Sequence, residues 1–431
     1  MTNYHINIFK KISGTFFVNI MEMGLRMILS IVLARTLGPS EYGIYTFAIT
    51  VTLILSIVSL LGTEYLAIRE VAHYVAKKKW ATLNGLIKFC RQYVITASLI
   101  VSILSGIIAW LFALNTQKYA IIIACSLLPF VCFIRLHECL LRGLQHVVIA
   151  LITNRILRPL LFIVFLVSFY LLGYRPISAS SAMIAQLFVC IIVMMIAFLL
   201  FRNRVPTETL NSVYEYERNR WINSMKSFFF IGILWTVTNN VNVIMLNLLA
   251  SPTDIGLYNV SKRGSELVCL GLLASNVAFG PMVSYLYAEN NMKKLQKLLQ
   301  LSATLTLVFG VIVALVLIIY NEEFLSWIFG IQFVPAAQAL TILSFGQLLS
   351  IATGPVENVL NMTGFEKDTL HIAIAALCLN IILDLFLIPR WGLNGVAVAT
   401  AITLVLWNST MMYFVYRRTG LGTTIFGGYL Y

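Results

Sequence analysis

Charge is scarce in this chain: 11% of its 431 residues are charged, against 60% that are hydrophobic. Soluble domains carry roughly 25% charged residues, so the composition speaks against a water-soluble enzyme of this length. Cysteine is sparse as well. The seven cysteines form no CxxC pair and no His/Cys cluster, which removes a disulfide scaffold and a metal centre from consideration. Cys125, Cys132 and Cys139 recur at seven-residue spacing and are read as small packing residues on one helix face. Long polar connections are missing on one side: "LNTQK" and "YRPISAS" are typical. A membrane polysaccharide polymerase or ligase, which needs catalytic groups on a sizeable outer loop, is therefore a less favoured reading.

Long apolar runs are what the chain has in quantity. A helix needs about 20 largely apolar residues to cross a bilayer. Runs of that length recur from end to end, placing twelve spans, the first two at 12–34 and 43–66 and the last two at 369–388 and 394–416. The expected fold is an all-α polytopic membrane protein. Lys10 and Lys11 precede a long first span, which reads as a retained anchor rather than a cleaved signal.

The net charge of +13 sorts by side rather than gathering into a nucleic-acid surface. On this map 22 of the 30 Lys and Arg residues fall inside and four outside (Arg35, Lys118, Arg175, Arg390). The other four, Arg26, Arg135, Lys262 and Arg263, fall within spans. The positive-inside rule then puts both termini in the cytoplasm. The inner segment "RNRVPTETLNSVYEYERNRW" lies near mid-chain and lacks an apolar run, so it reads as a linker at about 202–225. It divides an N-terminal lobe (1–210, spans 1–6) from a C-terminal lobe (211–431, spans 7–12). Amphipathic helices on the inner leaflet are expected in the inner loops.

One bend is written twice. "GPSEYGIYTFA" at 38–48 returns as "SPTDIGLYNVS" at 251–261, with Pro39, Gly43 and Tyr45 recurring as Pro252, Gly256 and Tyr258. Proline, a hydroxyl residue and an acid suit the start of a helix, and glycine suits close helix approach. A weaker echo pairs "ECLLRGLQ" (138–145) with "ENVLNMTGFE" (357–366) if two residues are inserted before Gly364, which sets Gly143 against Gly364. Six spans per copy is an even number, so the copies enter the membrane in the same direction, related by a pseudo-twofold along the membrane normal. Two six-helix lobes would then enclose a central cavity.

"LARTLGPSEYGIY", "LRGLQ" and "WGLNGVAVATAIT", in that order along the chain, resemble the polysaccharide and O-antigen flippases of the multidrug/oligosaccharidyl-lipid/polysaccharide exporter superfamily. The resemblance covers essentially the whole chain. It implies a V-shaped transporter, not an enzyme, with no cofactor. Its cargo would be an undecaprenyl-diphosphate-linked oligosaccharide, moved across the bacterial cytoplasmic (inner) membrane by alternating access. Coupling to H+ or Na+ varies among such relatives. Expected partners are the lipid-linked oligosaccharide, membrane lipids and other polysaccharide assembly proteins, with no nucleic acid, and the chain is expected to be a monomer. Lipid-linked peptidoglycan precursor flippases are near relatives that usually carry two more spans.

Charged residues within spans are the candidate site, since each is costly in hydrocarbon unless paired or hydrated. Glu22 and Arg26 are spaced i,i+4 in the first span, with Arg26 expected to meet a diphosphate and Glu22 to act as charge partner or protonation site. Arg135, Glu138 and Arg142 share one face of the fourth span. Arg155 and Arg158 begin the fifth, either joining a cationic entrance or anchoring to lipid phosphates. Lys262 and Arg263, with Glu266, start the eighth. Asn239, Asn240 and Asn242 of the seventh are candidates for sugar contacts or for helix–helix hydrogen bonds. Asp384 and Glu357 are read as lone acids near span ends, within reach of water. A drug or cation exporter of the same superfamily is the competing reading; it would favour an acidic cavity, whereas the N-terminal set is rich in cations.

Overall fold

The computed structural model describes residues 2–173 and 177–427, with the side chains of 2–13, 15–16, 227, 231, 277 and 278 left out. Arg175 and the side chains of Lys10 and Lys11 therefore lie outside the described residues. Every regular element among the described residues is helical, which suits a chain that must satisfy its backbone within each segment in lipid. Among the described residues nine helices are long and apolar enough to cross a membrane, or ten if the bent pair Pro252–Asn276 and Phe279–Ala288 forms one span. Two of these exceed a single crossing. The α1 helix (Thr2–Leu60) changes direction at Gly38, where the backbone is non-helical at φ 73° and ψ 172°. The last helix, Glu366–Thr419, breaks in the same way at Gly392. At about 1.5 Å per residue, each is far longer than the roughly 30 Å hydrocarbon core. Both expected loops, near 35–42 and 389–393, are thus single-residue breaks in otherwise continuous helices.

The residues form two compact units, Met1–Leu37 with Ile44–Asn239 and Gly38–Gly43 with Asn240–Tyr431. The sequence places the division in the linker at 202–225, but the units part inside a helix. The reason is visible in the linker, which is fastened to the first unit. That unit continues with α2 (Thr63–Ala76), α3 (Trp80–Phe112) and α4 (Lys118–Gly143). It goes on through α5 (Val147–Leu151), a π-helical turn (Ile152–Leu157), α6 (Arg158–Leu171) and α7 (Ala179–Arg202), then α8 (Thr207–Leu210) and the first part of α9 (Arg218–Leu249). Thr82 Oγ1 donates to the Glu215 carboxylate at 2.6 Å and Asn84 to the Ser212 carbonyl at 3.0 Å. Tyr74 donates to Glu217 at 2.9 Å. A Cβ on Gly85 would lie 1.8 Å from the Glu215 carbonyl oxygen, so only glycine admits the linker there. Short helices occur in the inner segments at α2, α5 and α8, while residues 213–217 of the linker have no regular secondary structure.

The second unit holds α10 (Pro252–Ser265), α11 (Leu270–Ala288), α12 (Met292–Ile319), α13 (Asn321–Ile328), α14 (Ala337–Ala352), α15 (Val356–Met362) and α16 (Glu366–Thr419). Its core gathers Leu295, Leu299, Val359, Leu360 and Met411. The repeated bend finds its explanation here. Ser251 caps α10 and exchanges bonds with Asp254, with Pro252 in the first turn. The cap is thus the residue before the proline, one position earlier than the template suggests, and Gly38 occupies that place in the first copy. The two copies then pack reciprocally: a Cβ on Gly43 would lie 1.7 Å from the Pro252 carbonyl oxygen, and one on Gly256 2.1 Å from that of Pro39. The second echo recurs in the structure without the two-residue insertion, so that Gln145 and not Gly143 corresponds to Gly364. Gln145 and Gly364 both take a left-handed backbone, and His146 and Phe365 donate back to the carbonyls of Leu141 and Leu360, as at a helix-ending Schellman turn.

Candidate functional site

In the first unit, buried or half-buried carboxylates on α1, α2 and α4 meet arginines: Glu22, Glu64 and Glu138, and also Glu70 of α2, which pairs with Arg69 and Arg220. Glu22 on α1 is 6% exposed. One of its oxygens pairs with Arg26, one turn on. The other accepts from Arg155 Nη1 at 2.8 Å, and that nitrogen also lies 3.2 Å from Asn19 Oδ1. On α2, Glu64 takes both ends of the Arg135 guanidinium at 2.8 and 3.1 Å, and Arg135 reaches Ser56 Oγ at 2.9 Å. On α4, Glu138 accepts from Asn154 Nδ2 at 2.7 Å and lies 3.9 Å from Arg142.

The π-helical turn joins two of these pairs. Asn154 serves Glu138 of α4 while the next residue, Arg155, serves Glu22 of α1. Neighbours in sequence point about 100° apart on a regular helix, and the wider turn at Ile152–Leu157 lets both reach their partners. Such turns recur at functional positions.

The expected residues thus come together, with corrections. Arg26, Arg135, Arg142, Glu22 and Glu138 all lie in the first unit, but the cationic entrance is balanced by acids. Arg135 is bound bidentately to Glu64, a partner 71 residues away in sequence. Arg155, which the sequence leaves open as a lipid anchor, is a member of the site. Arg26 is the exception in exposure: its side chain is 58% exposed while its partner Glu22 is buried.

The candidates of the seventh and eighth spans lie on α9 and α10. Arg263 pairs with Glu266 at 2.9 Å, and Lys262 stands next to it on α10. Asn239 donates to the Trp235 carbonyl of its own helix at 2.7 Å, and Asn240 follows it. Asn242 is buried, and its amide donates to Tyr258 Oη at 2.6 Å and Thr400 Oγ1 at 3.0 Å. The second of the two sequence-stated possibilities, helix–helix bonding, is therefore the one realised for its nitrogen.

Asp384 differs from the expectation. It lies well inside α16, not at a water-accessible span end, and is 0% exposed. Neither carboxylate oxygen has a hydrogen-bond partner among the described residues. One turn earlier, Asn380 meets Thr403 at 3.4 Å. Glu357, on the short α15, is half-buried, and burial pushes its carboxyl above the usual range. No group of three or more His, Cys, Asp or Glu residues that could hold a metal occurs among the described residues.

The family described as polysaccharide biosynthesis protein matches residues 8–287 of the chain. The chain belongs to that family. A second family, MatE, matches residues 228–386. Among curated relatives, a probable low-salt glycan biosynthesis flippase, Agl15 of Haloferax volcanii, is 23% identical over 44% of this chain and 39% of its own. The capsular polysaccharide biosynthesis protein CapF of Staphylococcus aureus is 25% identical over 44% of this chain and 48% of its own. These matches span less than half the length of either relative. Among solved structures, an inward-facing MATE-family multidrug resistance transporter superposes with a TM-score of 0.74 at 14% identity, covering 92% of this chain and 94% of that one. The lipid II flippase MurJ in an inward closed conformation gives 0.71 at 16%, covering 93% and 86%. The fold is the one these transporters share, as the sequence resemblance implies.

Proposed function

We propose that the protein is a flippase and not an enzyme. It carries an undecaprenyl-diphosphate-linked oligosaccharide, a repeat unit of O-antigen or another surface polysaccharide, across the bacterial cytoplasmic membrane by alternating access. One observation carries the reading: Glu22 is shared between an exposed arginine and a more buried one. A diphosphate that takes Arg26 leaves Glu22 still bound to Arg155. No buried carboxylate is stranded, so the exchange avoids the largest cost of breaking an ion pair in a poorly hydrated site. Arg135 and Arg142 hold Glu64 and Glu138, and so fix α2 and α4 around the exchange. Asn239, Asn240 and the Lys262–Arg263 pair are the groups proposed to meet sugar and phosphate in the second unit.

Coupling to H+ or Na+ is proposed at Asp384. A buried carboxylate without a hydrogen-bond partner is tolerated when it carries a proton or binds a cation, and one turn earlier on the same helix Asn380 meets Thr403. Other partners in this reading are membrane lipids and the assembly proteins that deliver and accept the saccharide; the working unit is a monomer with both termini in the cytoplasm.

The test is flipping of a labelled lipid-linked saccharide by full-length protein in proteoliposomes. Wild type is expected to flip it, and Arg26→Ala to lose at least about tenfold in rate, as for one charge-assisted phosphate contact. Undiminished flipping by that variant removes Arg26 from the mechanism. Absence of flipping by wild type, together with drug hypersensitivity of a deletion strain, moves the function to drug export.

A further inference from the structure

The ion cluster occupies one side of α4, and a different arrangement occupies another. His137 is fully buried and points about 100° or more around the helix from Arg135, Glu138 and Arg142. Its Nδ1 lies 2.9 Å from the Phe133 carbonyl, which makes Nδ1 the protonated nitrogen and leaves Nε2 as an acceptor. Arg91 of α3 donates to it, with Nη2 at 3.2 Å from Nε2. The Arg91 guanidinium also faces two rings of α7, Phe198 at 5.2 Å and Phe201 at 5.0 Å.

Arg91 differs from the arginines of the cluster in having no acid. Among the described residues no carboxylate lies within ion-pair distance of it, and its Nε–H is buried without an acceptor. A neutral imidazole and two aromatic rings stabilise a cation in part, but they leave most of a guanidinium's donors unused. Desolvating such a group without a counter-ion is costly. A missing anion is the simplest completion.

The surroundings indicate which anion. Beyond Arg91 along α3, Ile95, Leu99, Ile103 and Leu104 are exposed, and α7 exposes Ile192 and Met195 on its corresponding stretch. These are faces that a bilayer covers. In the other direction come Lys88, one turn back on α3, and exposed Arg202 at the end of α7. Arg91 thus stands at the boundary between a cationic rim and a lipid-covered surface, the level at which phospholipid phosphates lie.

We infer that Arg91 binds the phosphate of a resident anionic phospholipid whose acyl chains lie along the exposed faces of α3 and α7. The lipid supplies the counter-ion that the protein lacks and ties α3, α4 and α7 together at their charged ends. This site is separate from Arg26 and does not depend on the proposed cargo.

Native mass spectrometry of the detergent-purified full chain tests it with phosphatidylglycerol and phosphatidylcholine as probes. Wild type should retain phosphatidylglycerol preferentially, Arg91→Ala should lose about tenfold in retention, and Arg26→Ala should keep it. Equal retention by wild type and Arg91→Ala overturns the site. Displacement by millimolar inorganic phosphate overturns the assignment to a lipid headgroup. Should Arg91→Ala fail to fold, a photoreactive residue in place of exposed Gln92 in an otherwise native chain decides the matter. Crosslinking to phosphatidylglycerol supports the site, and crosslinking to no lipid, or only to a lipid-linked saccharide, sinks it.

Discussion

The two units handle buried acid in contrasting ways. In the first, Glu22, Glu64 and Glu138 are each answered by an arginine, with Asn154 and Ser56 taking up further bonds. In the second, Asp368 is likewise held by Arg418, but Asp384 is more deeply buried than any of these acids and neither of its oxygens has a hydrogen-bond partner among the described residues. Paired acids hold helices in register and can trade one cationic partner for another. A lone buried acid has only a mobile partner to rely on. The first arrangement suits a phosphate-bearing cargo, the second a small coupling ion.

Removing an acid from each unit should therefore have opposite consequences. Glu22→Ala strands Arg155 and frees Arg26, and is expected to cost about 3 kcal/mol of stability, read as a lower temperature for loss of the monodisperse peak on heating in detergent. A shift no larger than that of a surface substitution would dissolve the contrast. Gly43→Ala should cost about 2 kcal/mol, because a methyl group has no room against the Pro252 carbonyl oxygen and the backbones must part. That change probes the packing of the repeated bend, and full stability would mean the two copies yield easily. Asp384→Asn should alter stability least, by at most about 1 kcal/mol. Its informative readout is different. Wild-type stability should rise with added Na+ or with acidification, and the variant should be indifferent to both. A sodium or pH response that survives Asp384→Asn would place the coupling ion elsewhere.

Local spacing made much of this legible in the sequence. The i,i+4 pair Glu22–Arg26 and the shared face of Arg135, Glu138 and Arg142 follow from the helical period, and both are present. Arg155 and Asn154 were harder to read, because a π-helical turn changes the angle between neighbours and nothing in "ITNRIL" announces it. Glu64 was missed for another reason. It falls inside the expected second span, 43–66, but only two residues from its end, where an acid reads as interfacial, and its partner Arg135 lies 71 residues further on. Asp384 was placed near water because its two neighbouring spans were expected to be separated by a loop. The structure keeps the break close by, at Gly392, but packing against neighbouring residues buries Asp384 completely.

The sequence by itself determined that this chain lives in a membrane, where its helices lie along it, that one bend recurs, and which charges share a turn. Those properties depend on residues a few positions apart, and helix geometry translates such spacing directly. Only the tertiary structure decided that Arg135 belongs to Glu64, that Arg155 completes the Glu22 site, that the linker straps onto Gly85, and that Asp384 and Arg91 have no counter-ion among the described residues. Each of these depends on how helices distant in sequence rotate and approach one another, and side-chain packing sets that rotation rather than any period in the chain.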